Sequence, residues 1–148
     1  MYAIEYFGRE VRFRSAGARL PIRSRQGAVS WLPWGLTRQE NHVAFPHGAW
    51  LDLSVVESPD LYALMPRPVV IAARRFMLTG QDKVEHWFDV EEGQVMRGVL
   101  LTWHDEARVY VVAERATGMK GRIASRAPRS VTAPELRANV PKTATAAH

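Results

Sequence analysis

The chain has 148 residues and no cysteine, with twenty Lys and Arg against fifteen Asp and Glu for a net charge of +5. That length can bury one core without staples, while the missing cysteines exclude disulfides, thiolate metal sites and a cysteine nucleophile. No apolar run approaches the roughly 20 residues of a membrane helix, and 1-MYAIEYFGRE-10 lacks the basic-then-apolar layout of a secretory signal; a cytoplasmic protein without membrane contact is the simplest expectation.

The charge is uneven. Six arginines stand in residues 1–30 against Glu5 and Glu10, and five cations stand in 121–148 against Glu135, so the middle of the chain is acidic. Nearly all the cations are Arg, with Lys83, Lys120 and Lys142 the only lysines. Guanidinium groups grip phosphates bidentately and stack on bases, so arginine-rich ends point to a polyanionic partner.

In chain order, segments 2–7, 10–15 and 28–33 read as short strands. The last runs into 29-VSWLPWGL-36, where Trp31 and Trp34 flank Pro33 in a loop that ends on glycine. Tryptophan is costly to bury completely, and a base stacks on an exposed ring without regard to sequence. One of these two rings is expected in the core and one at a ligand. In 58-SPDLYALM-65, Ser58 caps a short helix with Pro59 in its first turn, and Pro66 stops it. Segment 68-PVVIA-72 with 75-RFML-78 gives another strand. Segment 84-VEHWFDV-90 alternates as a half-buried strand, with His86 on its apolar side as a hydrogen-bonded core residue. The turn 91-EEG-93 predicts an antiparallel hairpin with 94-QVMRGVLLTW-103, in which Gly98 marks a bulge or bend. After 104-HDEA-107 the β-branched 108-RVYVVAE-114 reads as a central strand. Thr132 and Glu135 have capping-box spacing for a helix over 132–140, and a domain of residues 1–138 ends in a disordered tail at 139–148. The expected class is α+β, mostly antiparallel, with a curled or barrel-like sheet and two or so short helices. Phosphate-loop, zinc and nucleophile-elbow patterns are all missing, so no cofactor or metal is expected.

Four pieces, 21-PIRSRQGAVSWLPWGL-36, 66-PRPVVIAARRFM-77, 86-HWFDVEEGQVMRGVLLTW-103 and 108-RVYVVAERA-116, resemble in order and spacing the SOS-response-associated peptidase (SRAP) family, in particular its short phage- and plasmid-associated branch. The resemblance covers residues 20–130. It implies a DNA-damage protein that holds single-stranded DNA in a basic groove and links an abasic aldehyde to an N-terminal cysteine, helped by an Asn, a Glu and a His. This chain departs from the pattern at each reactive position. Tyr2 stands for the cysteine, Trp50 for the asparagine, Leu78 for the glutamate and Ala124 for the histidine. The same alignment sets Asp52 and Ser54 at the family's Arg and Glu in its N-A-R-x-E motif, and keeps Arg126 and Pro128. The resemblance therefore implies a pseudo-enzyme that binds single-stranded DNA non-covalently, with Arg23, Arg25, Trp31, Trp34, Arg74, Arg126 and Arg129 as its nucleic-acid contacts. Two rivals stand beside it. One is a protein-interaction module that uses the old groove. The other is residual Schiff-base chemistry through an N-terminal amine at Tyr2.

Overall fold

The computed structural model describes residues 2–14 and 17–132. The helix expected over 132–140 and the tail at 139–148 lie outside these residues, Thr132 apart. The architecture is α+β and mostly antiparallel, as the alternation of apolar residues predicts. Among the described residues no barrel closes; the strands form two sheets.

The smaller sheet has the order β2-β1-β7-β8, with β1 Ala3–Tyr6, β2 Arg9–Arg12, β7 Arg75–Thr79 and β8 Glu85–Asp89. The larger has the order β11-β10-β9-β6-β3-β4, from β11 Arg126–Pro128, β10 Glu106–Arg115, β9 Gln94–Trp103, β6 Arg67–Ile71, β3 Arg19–Arg23 and β4 Val29–Pro33. Off this path, β12 Ser130–Thr132 pairs with β9, and β5 Trp50–Asp52 runs parallel to β10.

Three expectations need correction here. Segments 68–72 and 75–78 are separate strands in different sheets, because 72-AAR-74 carries the chain across from β6 to β7. Likewise 91-EEG-93 closes no hairpin. β8 pairs with β7, while β9 pairs with β6 and β10, so this turn is the return crossing. The true hairpin is β9–β10, closed by His104-Asp105 between paired Trp103 and Glu106. Gly98 makes no bulge, since its register with Val69 and Val111 is continuous. A Cβ there would stand 2.8 Å from the Ile71 Cδ1, so close packing explains this glycine.

Alternation along β9 divides the interior. Met96 and Leu100 join Ile4, Leu20, Ile71, Phe76 and Leu78 between the sheets. Val99 and Leu101 face the other way and join Tyr110, Val112, Phe45, Leu61 and Leu64. Helix α1, Leu53–Val56, lies over this second cluster beside a 3-10 helix at Pro59–Leu64. The Ser58 hydroxyl caps the latter by accepting from the Asp60 amide at 3.1 Å. Helix α2, Gly118–Ile123, joins β10 to β11. No described helix is long and apolar enough to cross a membrane.

Candidate functional site

Strand β1 has a different feature at each end. Its N-terminal end opens on a cleft of about 1110 Å³ between the two sheets. Tyr2 enters it ahead of β1, Leu78 from β7 and His86 from β8; Trp50 and Asp52 come from β5, and Ala124 and Arg126 from the segment that follows α2. Trp50 and Asp52 are two apart on a strand, so they share a face. The Tyr2 and Trp50 rings lie 4.4 Å apart between centroids and form an aromatic wall. Position 54 does not reach the cleft. Its amide and hydroxyl donate to Asp52 Oδ1 at 3.0 and 2.8 Å and start α1. The other Asp52 oxygen lies 2.7 Å from Arg126 Nε. The Ser54 bonds first, and Arg126 after them, hold the Asp52 carboxyl below the usual carboxylate range.

All four positions that the resemblance makes reactive, residues 2, 50, 78 and 124, therefore line one cleft, with Arg126 beside them. Their side chains supply a phenol, an indole, an isobutyl and a methyl group. None of the four is an amine, a thiol or a carboxylate. His86 is a correction. It is not a core histidine but a half-exposed wall residue, 3.7 Å from Asp82. Charge is another. Asp52 and Asp82 line the cleft together with Arg122 and Arg126, so the groove expected to be basic is balanced along its described lining.

The other predicted contacts are dispersed. Trp34 is 2% exposed, and its Nε1–H donates to the Ala49 carbonyl at 3.0 Å. This ring belongs to the core and, contrary to the sequence expectation, is not open to a ligand. Arg129 is paired with Glu114 at 2.6 Å, beside Arg97 on the second cluster's face, away from the cleft. Burial lowers the Arg97 pKa, and Arg129 adds to the effect. Arg25 stands exposed at the tip of the β3–β4 hairpin, where the Gly27 amide donates to the Ser24 carbonyl.

Arg23, Arg74 and Trp31 gather at the opposite end of β1. Arg23 and Arg74 line a second concavity with Phe7, Glu91 and Glu92. The Arg74 guanidinium lies 4.9 Å over the Phe7 ring, and that of Arg9 lies 4.2 Å over the Trp31 ring. Tyr6 joins the two rings edge-on, 4.7 Å from Phe7 and 5.7 Å from Trp31. Phe7, Tyr6 and Arg9 were missed in the sequence, although an aromatic pair ahead of Gly-Arg at a strand end was a legible signal.

His42 and His47 are held by local bonds, with His47 Nε2 lying 3.0 Å from the Glu40 carbonyl oxygen. His42 Nδ1 accepts from the Ala44 and Phe45 amides at 3.0 and 3.2 Å, and Nε2 lies 3.3 Å from Glu106. Nearby, burial opposes the Glu40 carboxylate, but Thr37 and Arg108 outweigh it and hold its pKa low. Among the described residues no group of three or more His, Asp or Glu could hold a metal ion. No protein-family model, curated protein or solved structure matches this chain.

Proposed function

We propose that this chain is a catalytically degenerate SRAP-like protein that binds single-stranded DNA non-covalently, with the inter-sheet cleft as its central site. One observation carries the proposal. Four positions spread from residue 2 to residue 124, chosen by family resemblance alone, line the same cavity. A coincidental resemblance gives no reason for β1, β5, β7 and the segment after α2 to deliver those four positions to one place. Their side chains favour binding over chemistry. The tilted Tyr2 and Trp50 rings each offer an apolar face to a base, worth about 1–3 kcal/mol per stacked base. Asp52 engages Arg126 at Nε, which leaves the two terminal nitrogens for a phosphate.

Among the described residues the cleft lining offers no amine or thiol to attack an aldehyde, so contact with DNA is reversible. The test uses a fluorescent single-stranded oligonucleotide, intact or carrying one abasic site, with and without borohydride. Saturable binding of both without a reduced adduct is the expected result. A trapped adduct overturns the non-covalent mechanism in favour of Schiff-base chemistry. No binding of either oligonucleotide overturns the nucleic-acid function and leaves the groove to a protein partner.

A further inference from the structure

The β1–β2 connection is a two-residue turn, Phe7-Gly8, between paired Tyr6 and Arg9. Phe7 has φ +47 and Gly8 has φ +82. Asn-Gly or Asp-Gly satisfies this doubly left-handed turn at least cost. A phenylalanine at positive φ is strained, and at 67% exposure little burial offsets the strain. Two unfavourable choices at one position point to a role outside folding.

The surroundings indicate that role. From Arg74 over Phe7, through Tyr6 to Trp31 beneath Arg9, three rings run in series across the surface with a guanidinium on each outer one. Arg23 opens onto the same concavity as Phe7. Arg9, Arg23 and Arg74 have no ion pair among the described residues, whereas Glu5 is engaged by Arg75 at 3.1 Å. A guanidinium resting on a ring keeps its N–H edge available for an anion.

We propose that this ladder is a second nucleic-acid surface, where unpaired bases stack on Phe7 and Trp31 while Arg9, Arg23 and Arg74 take the phosphates. It rests on the proposed function but adds a contact about 17 Å from the cleft, the length of five residues of extended strand from Tyr2 to Phe7. Single-stranded nucleic acid is the occupant because it offers flat apolar faces and regularly spaced negative charge together. Glu91 and Glu92 also line the concavity, so the strand runs along its arginine side.

The experiment measures anisotropy of labelled oligothymidine with the full-length wild type, Phe7→Asn, Trp31→Ala and Arg126→Glu, alongside thermal melts. Phe7→Asn is expected to melt at or above the wild-type temperature, since asparagine suits the turn, yet to bind about tenfold more weakly. Trp31→Ala should weaken binding similarly. If both bind like the wild type while Arg126→Glu is impaired, the ladder is overturned and the cleft stands. A large fall in the melting temperature of Phe7→Asn overturns the strain argument. If the wild type binds no oligonucleotide, ladder and cleft fall together.

Discussion

The two ends of the small sheet share strands and differ in how their cations are held. At the cleft, Arg126 answers Asp52, and His86 stands beside Asp82. At the turn, Arg9 and Arg74 lie on rings. A guanidinium held by a carboxylate must be shared or released before it grips a phosphate, whereas one held by a ring loses little. Net charge at a site is therefore a poorer guide to polyanion binding than the partner of each cation. The tryptophans of 29-VSWLPWGL-36 repeat the lesson at close range. Trp34 is sealed by its bond to Ala49, while Trp31, three residues earlier, lies under an exposed arginine.

The largest effect should separate those two rings. Trp34→Ala removes a buried ring from between the sheets and should cost about 3–5 kcal/mol in a denaturant melt. Trp31→Ala should cost about 1 kcal/mol or less and show its effect in oligonucleotide affinity instead. Equal stability losses would erase the distinction between core ring and ladder ring. Gly35→Ala should destabilise by a comparable amount to Trp34→Ala, because its φ is +53 and a Cβ would collide with the Gly48 carbonyl oxygen. It tests whether the loop beneath Trp34 is as tightly closed as the contacts indicate.

Asp52→Ala sharpens the contrast between the ends. Loss of the α1 cap should lower stability by about 1 kcal/mol. Release of Arg126 from a half-exposed pair should tighten oligonucleotide binding by up to about fivefold. The pH dependence has a definite sign. The folded Asp52 carboxyl lies below its ordinary value of 3.8, so its stabilisation is complete above that value. It is lost as the pH falls through the lower folded value. The acid limb of the wild-type stability profile should therefore be flatter in Asp52→Ala. Smallest of all, replacing Glu91 and Glu92 with Gln should tighten binding about two- to threefold by removing the carboxylates opposite the ladder. Weaker binding would place the strand on the other wall.

Local patterns were legible in the sequence where one strand decides the outcome. β9 follows the apolar run 94–103, and Ser58-Pro59 starts a helical turn because cap chemistry is local. Choice of partner strand was not. The residues 91-EEG-93 look like a hairpin turn, yet the apolar side of β8 packs with Phe76 and Leu78 of β7, and that face decides the pairing. β3, with Pro21 at its centre, and the three-residue strands β5, β11 and β12 carry too little periodicity to read alone. The cleft positions were reached only through resemblance, since an indole, a phenol and two alkyl groups advertise no chemistry. The ladder was half visible. Trp31 and Arg74 stood out, but Phe7 needs the turn geometry before its exposure and strain appear.

The most direct test of non-covalent single-strand binding is the salt dependence of oligothymidine affinity for the wild type and for Arg126→Glu. The account predicts that log Kd rises linearly with log salt, with a slope near 0.7 for each arginine–phosphate contact, and that Arg126→Glu lowers the slope by about one contact. An affinity that does not change with salt, or an unchanged slope in Arg126→Glu, would contradict the account.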